Sequence, residues 1–162
     1  MTRGQALLYG TLTVGTLDLL DAFVFFGLRK VPPIKILQSI ASGWLGRPSY
    51  SGGMPTALLG LVSHFFIAFM IVLTYLVASR WWPVLARRAL VLGPLYGIVV
   101  YCVMNYVVIP LSAAATGKPT PVVIVNGLLI HMLGIGLPAA LFARAAAASA
   151  LGGPVDPGTP AP

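Results

Sequence analysis

PTALLGLVSHFFIAFMIVLTYLVAS, residues 55–79, contains no Asp, Glu, Lys or Arg. A helix needs about 20 apolar residues to cross the hydrocarbon core of a bilayer, which is roughly 30 Å thick. Similarly apolar stretches occupy residues 6–28, 89–111 and 122–146. The sequence therefore predicts an all-α membrane protein with four transmembrane helices.

The composition leaves little room for a soluble part. Of the 162 residues, 58% are hydrophobic and 8% are charged, and the mean hydropathy is +0.94. An ordinary soluble domain has about 25% charged residues. We therefore interpret residues 1–151 as a single transmembrane domain whose main partner is the lipid bilayer. Residues 152–162 read GGPVDPGTPAP, a composition that cannot bury a core and predicts a disordered tail.

A shorter segment between the first two stretches has a different pattern. Residues 34–45 follow a Pro-Pro pair and are too few to cross a bilayer as a helix. Their apolar side chains recur on one helical side, and the polar ones, Lys35, Gln38, Ser39 and Ser42, recur on the other. This pattern predicts a short interfacial or re-entrant helix.

The formal net charge of +7 does not indicate nucleic-acid binding, because the Lys and Arg residues stand mostly at the ends of the apolar stretches, where lipid headgroups lie. Positive residues normally mark the cytoplasmic side of a membrane protein. Here the two sides tie, with Arg3, Arg80, Arg87, Arg88 and Arg144 against Arg29, Lys30, Lys35, Arg47 and Lys118. The compact basic turn at residues 80–88 favours both termini in the cytoplasm.

Two short patterns repeat between the halves of the chain. The first and third stretches share L-Y-G, at residues 8–10 and 95–97, and the second and fourth share G-L-x-x-H, at residues 60–64 and 127–131. Matches in the same order predict an internal duplication. Each half is then one helical hairpin, and a pseudo-twofold axis along the membrane normal relates the two hairpins.

The repeat also predicts a layer of polar residues inside the membrane. Asp18 and Asn105 follow the glycine of L-Y-G at the same distance, and the two histidines, His64 and His131, end the G-L-x-x-H motifs. A helix rises about 1.5 Å per residue, which places all four side chains at a similar depth near the bilayer midplane. Asp21 lies one turn beyond Asp18 on the same face.

The polar layer suggests a function. A carboxylate in the middle of a membrane helix costs about 2.5 to 3.5 kcal/mol, so it seldom faces lipid unless it is protonated, paired or hydrated. An Asp beside a His can exchange a proton near physiological pH. Our first hypothesis is a small proton-linked carrier or permeation protein that uses this layer, with Asp21 as gate or relay partner. Because four helices leave little room for a cavity, a homodimer is the expected way to build one.

Two other interpretations stay open. In the first, the layer only fixes helix packing in a structural or accessory protein. Asp18 and Asp21 then bond Thr, Ser, Tyr or Asn side chains across the bundle, or Asp21 reaches Arg29 or Lys30 near the interface. In the second, His64 and His131 ligate a haem iron from both sides, or a divalent metal together with Asp18. There is no glutamate and no Walker, G-x-S-x-G or H-E-x-x-H motif, so we expect no catalysis and, outside the haem or metal interpretation, no cofactor.

Small residues and prolines indicate how the helices pack. Gly93 and Gly97 form a small-xxx-small pattern, which lets two membrane helices approach closely. Pro94, Pro110 and Pro138 lie in or at the ends of the apolar stretches. Proline lacks the helical N–H and clashes with the preceding turn, so kinks are predicted at these positions.

The layout of residues 55–144 is similar to that of a known family. The features that carry the similarity are H-F-F-I-A-F at residues 64–69, Trp82-Pro83, Met104-Asn105, I-P-L at residues 109–111 and a last span that ends at Arg144. On these features the chain distantly resembles the YagU-like family of small uncharacterised bacterial inner-membrane proteins. The resemblance implies a multi-pass protein of the bacterial inner membrane, and its motifs are not catalytic.

Overall fold

The computed structural model describes residues 1–114, 117 and 119–151, without the side chains of residues 150 and 151. Within this part of the chain the regular structure is entirely helical. Four helices are long and apolar enough to cross a membrane, and we call them the first to fourth spans: Arg3–Gly27, Gly53–Trp81, Ala89–Leu111 and Pro121–Ser149. The prediction of an all-helical chain with four such helices is confirmed. The predicted disordered tail, residues 152–162, lies outside the described residues.

A further helix, Pro33–Leu45, links the first two spans, and we call it the connecting helix. It leads through Gly46 into a short 3-10 turn, Arg47–Ser51. The connecting helix packs very closely on the second span, because a Cβ added to Gly60 would lie 1.9 Å from the carbonyl oxygen of Leu37. Any larger residue at this glycine would force the two helices apart.

The side of the connecting helix that faces the protein is mixed, because Ile36 and Ala41 are buried along with Gln38 and Ser42, whereas Lys35 and Ser39 of the predicted polar side are exposed. Gln38 and Ser42 are buried, whereas the apolar ring of Trp44 is 68% exposed. Gln38 Nε2 donates to the carbonyl oxygen of Gly53 at 3.0 Å, and Trp44 Nε1 donates to the hydroxyl oxygen of Ser63 at 3.0 Å. These two hydrogen bonds, together with the close contact at Gly60, fix the connecting helix on the second span.

Glycine contacts bring the third and fourth spans together. A Cβ added to Gly97 would lie 2.0 Å from the carbonyl oxygen of His131, and one added to Gly136 would lie 2.2 Å from the carbonyl oxygen of Gly93. Only glycine leaves enough room at such distances, so close packing through Gly93 and Gly97 is confirmed. The first span contacts both the second and the fourth, which completes the bundle.

Small side chains form much of the interior of the bundle, and many of the large apolar ones point outward. Ala6, Ala139 and Ala140 have no exposed surface, whereas Leu8 and Leu133 are exposed. Lipid tails are as apolar as leucine, so membrane helices gain little from burying large apolar groups and pack instead through small residues. The distribution of side chains therefore agrees with an integral multi-pass membrane protein.

The third and fourth spans each contain a wider, π-helical stretch, Met104–Val108 and His131–Gly136. Each stretch ends just before a proline, Pro110 or Pro138. The ring of a proline clashes with the carbonyl group one turn earlier, and a wider turn accommodates that clash. The helix therefore widens into a π-helical turn before each of these two prolines, whereas Pro94 lies within a regular α-helix.

Both ends of the described chain lie at the same end of the bundle, where the amino group of Met1 donates to the hydroxyl oxygen of Ser149. An even number of spans requires this arrangement. We call this end the termini side and the opposite end the connecting-helix side.

Candidate functional site

A cavity of about 320 Å³ lies between the four spans, and we call it the central cavity. All four spans contribute polar residues to its wall: Asp18 from the first, His64 from the second, Tyr101 and Asn105 from the third, and His131 from the fourth. The structure thus brings together four of the five residues of the predicted polar layer. We expected four helices to leave too little room for a cavity, and this was the reason for predicting a homodimer. The central cavity instead forms within one chain. The homodimer itself stays a prediction.

Asp18 and His64 face each other across the first and second spans. Nδ1 of His64 lies 3.9 Å from Oδ2 of Asp18, and Nε2 of His64 lies 2.8 Å from the carbonyl oxygen of Gly15. A carbonyl oxygen can only accept, so Nε2 carries a hydrogen and donates it. In the neutral ring, Nδ1 is then the unprotonated nitrogen, and it is the one that lies nearest to the carboxylate. His64 Nδ1 and Asp18 can therefore hold one proton between them.

His131 is held by its own helix in the opposite tautomer. Its Nδ1 lies 2.8 Å from the carbonyl oxygen of Gly127, so Nδ1 donates and Nε2 is the free nitrogen of the neutral ring. The imidazole packs edge-on against the ring of Tyr101, with a centroid distance of 5.3 Å. Asn105 Nδ2 donates to the carbonyl oxygen of Tyr101 at 2.9 Å. The third and fourth spans therefore fix the orientation of both polar groups before any ligand binds.

Asp21 lies outside the wall of the central cavity. Its Oδ2 accepts a hydrogen bond of 2.7 Å from Nδ2 of Asn126, so it joins the first span to the fourth. Arg29, one of the basic partners considered for Asp21, instead donates to the carbonyl oxygen of Phe25 at 2.7 Å and stacks over the Phe25 ring. This geometry supports a packing role for Asp21 and separates it from the other four residues.

The central cavity is closed on the termini side by apolar side chains. Val14, Ala68 and Ile135 line this end and are almost completely buried. On the connecting-helix side, the cavity extends to Ser39 and Pro119, which lie outside the spans and are exposed. The two ends of the cavity therefore differ.

Tyrosines close the bundle beyond this apolar end. Tyr96 donates its hydroxyl hydrogen to the carbonyl oxygen of Ile71 at 2.8 Å, and the buried Tyr75 donates to the carbonyl oxygen of Leu85 at 2.9 Å. The two tyrosine rings pack edge to face with a centroid distance of 4.9 Å. These bonds join the second span to the third span and to the turn between them, and so hold the barrier in place.

Three residues of the site region are not part of the predicted polar layer. Tyr101 and Ser39 line the central cavity, and Asn126 partners Asp21. Asn126 carried a readable signal, because an amide inside an apolar stretch needs a partner just as a carboxylate does. Tyr101 and Ser39 carried none, since tyrosine is common in membrane helices and Ser39 lies in a segment with several polar residues.

The described residues contain no group of three or more His, Cys, Asp or Glu side chains placed to hold a metal ion. Comparison with protein-family models, with curated proteins and with solved structures finds no match for this chain. Functional inference therefore depends on the geometry of the central cavity. The bis-histidine haem interpretation and the resemblance to the YagU-like family stay predictions.

Proposed function

We propose that this chain is a small integral membrane carrier that binds a solute and a proton together in the central cavity. The observation that supports this proposal is the meeting of Asp18, His64 and His131 around one space that is closed on the termini side. An alternating-access carrier needs a central site that opens to one side at a time. The described form corresponds to the state that faces the connecting-helix side.

The proton is held first by Asp18 and Nδ1 of His64, whose 3.9 Å separation tightens to a hydrogen bond with a small side-chain rotation. Nε2 of His131 is the second acceptor on the cavity wall. Protonation of either histidine offsets the charge of Asp18, so the site changes between net negative, neutral and positive states. This exchange couples the charge of the bound solute to the number of bound protons.

We also propose that the two halves of the chain are related hairpins. Two pairs of residues at equivalent repeat positions, Asp18 with Asn105 and His64 with His131, all line the same cavity. A site at the interface of two related halves is a common arrangement in carriers, because the halves can rock about it.

The proposal places the protein in the bacterial inner membrane with both termini in the cytoplasm and the connecting helix in the opposite interface. This placement follows the resemblance to the YagU-like family and the basic turn at residues 80–88. The protein is proposed to move its solute without transforming it.

Asp18→Asn tests the carrier. We expect purified Asp18→Asn protein in proteoliposomes to lose pH-driven proton flux by about a hundredfold, the contribution typical of a positioned proton-transfer group. A pH-sensitive dye inside the vesicles measures the flux. Asp21→Asn is the matched control, because it makes the same chemical change one turn away and outside the cavity. It should keep most of the flux.

Equal flux in the two variants would contradict the role of Asp18. Size-exclusion chromatography before reconstitution shows that each variant is folded, so a loss of flux cannot be confused with a loss of structure.

A structural role is the second candidate, and the Asp21–Asn126 bond is the observation that favours it. Both histidines also use one ring nitrogen to bond a backbone carbonyl. If the polar residues serve only packing, Asp18→Asn should lower the thermal stability while no flux is measurable even in the unchanged protein.

A further inference from the structure

A second hollow, of about 770 Å³, opens on the outer surface of the bundle beside the central cavity. The connecting helix, the second span and the end of the third span form its walls, and we call it the lateral groove. Its lining includes Gly43, Trp44, Phe66, Val108 and Ala113. A backbone bond of 2.9 Å, from the N–H of Ala113 to the carbonyl oxygen of Gly43, holds its two walls together.

The lateral groove and the central cavity share a wall. Ile40, Ile67, Met104 and Ile109 line both spaces, as does Ser39. These side chains are flexible or apolar, and Met104 begins the π-helical stretch of the third span. These five residues lie between the two spaces, and a rotamer change among them is the route by which the groove would join the cavity.

The lateral groove faces the bilayer. Phe66 and Trp44 are more than half exposed, and Leu111 at its edge is 83% exposed. The lining is mainly apolar, and three of its four hydroxyl residues, Ser39, Ser63 and Ser112, already donate to nearby backbone carbonyl oxygens, so the groove offers water few hydrogen-bond partners. A hydrocarbon chain is therefore the occupant that its lining suits.

The charges at this end of the bundle favour an anionic head. Arg29, Lys30, Lys35 and Arg47 all lie on the connecting-helix side, and the sequence has no acidic residue between Asp21 and Asp156. None of the four lines the lateral groove, and they act by attracting anionic amphiphiles to this end of the bundle.

We propose that the lateral groove holds the hydrocarbon chain of a single-chain carboxylate, whose head reaches Asp18, His64 and His131 in the central cavity. This inference rests on the proposed function and names its solute. In the central cavity the carboxylate of the solute lies near the carboxylate of Asp18. The other titratable residues of the cavity wall are His64, His131 and Tyr101. Two like charges at one site repel, so the head binds together with a proton on Asp18 or on a histidine. Proton coupling then follows from the chemistry of the solute.

Photolabelling tests the groove. A fatty acid that carries a diazirine near its methyl end is added to the full-length protein in lipid nanodiscs, and labelled peptides are mapped by mass spectrometry. We expect labels in residues 36–46 and 104–114. An unlabelled fatty acid should compete, and an alkyl ammonium of the same chain length should not.

Gly43→Phe is the blocking variant. A Cβ at Gly43 makes only ordinary contact with Ser112, at 3.8 Å, so the backbone tolerates a side chain that fills the groove. Displacing about two buried CH₂ groups corresponds to about a tenfold loss of labelling. Gly27→Phe is the matched control, because a Cβ there has no neighbour within 4 Å. If Gly43→Phe does not fold, Ala113→Phe fills the groove from the opposite wall.

Labelling spread over all lipid-facing surfaces, or unchanged in both blocking variants, would overturn the inference. So would stronger labelling by a diazirine phospholipid than by the fatty acid, because a two-chain lipid would then be the occupant. These outcomes are distinct from failure of the carrier. If a blocking variant loses the groove labelling while Asp18→Asn keeps its flux, the carrier is rejected and the groove stands. If labelling of the unchanged protein is diffuse while Asp18→Asn loses its flux, the groove is rejected and the carrier stands.

Discussion

Replacing Gly97 with alanine is expected to push the third and fourth spans apart at the level of the central cavity. The new Cβ would lie 2.0 Å from the carbonyl oxygen of His131 and 2.7 Å from the Cα of Met132. Both are backbone atoms, which cannot rotate out of the way, so one span must shift. The shift also moves the His131 imidazole relative to Asp18.

The size of the effect follows from two opposing terms. Inserting a methyl group into a packed contact costs about 1 to 3 kcal/mol, and rigid backbone neighbours place this contact at the upper end. Alanine recovers up to about 1 kcal/mol through its better helix propensity. The net loss is therefore about 2 kcal/mol, which lowers Tm by about 4 to 8 °C in a chain of this length.

Tryptophan fluorescence of the purified protein in detergent, followed during heating, measures this change. Gly27→Ala is the control, because a Cβ there meets no atom within 4 Å and the variant should match or exceed the unchanged protein. Gly93→Ala should fall between the two, since its nearest contacts are 2.9 and 3.0 Å. A Tm of Gly97→Ala equal to or above that of Gly27→Ala would refute the close approach of the two spans.

Two other substitutions test individual hydrogen bonds by the same melting assay. Asn126→Leu removes the donor to Asp21 and should cost about 0.6 to 1.7 kcal/mol, the range for bonds between membrane helices; an unchanged Tm would show that the pair does not join the spans. Tyr75→Phe leaves the carbonyl oxygen of Leu85 without its donor and should cost about 1 to 3 kcal/mol, and a stabilised variant would argue against this bond.

The main features of the fold were predictable because they depend on local hydrophobicity. Four stretches are too apolar to be exposed to water, so they enter a bilayer. There they form helices, because a helix satisfies its own backbone hydrogen bonds. The small-xxx-small pattern of Gly93 and Gly97 also identified a close helix contact. The sequence pattern of the connecting helix shows an apolar and a polar side. It could not predict which side chains of this helix would pack on the second span.

The polar residues of the site were predictable by type and depth. An aspartate or histidine inside an apolar stretch is conspicuous, and the rise per residue sets its level in the bundle. Their grouping was not predictable to the same degree. Asp18 and Asp21 lie on the same helix face by spacing, yet one lines the cavity and the other bonds Asn126. The two aspartates are one helical turn apart, and this separation is enough to place their carboxylates against different groups once other helices pack on both sides of the first span.

The sequence alone determined that this chain forms four apolar helices with a few polar groups at one depth, because hydrophobicity and helical rise are properties of each segment by itself. The tertiary structure decided which of those groups share a space, which tautomer each histidine adopts and that the space closes on one side. These features depend on how each helix is rotated about its own axis. Contacts between helices determine that rotation, such as the close approach of Gly97 to the backbone of His131, and the sequence of a single segment does not encode it.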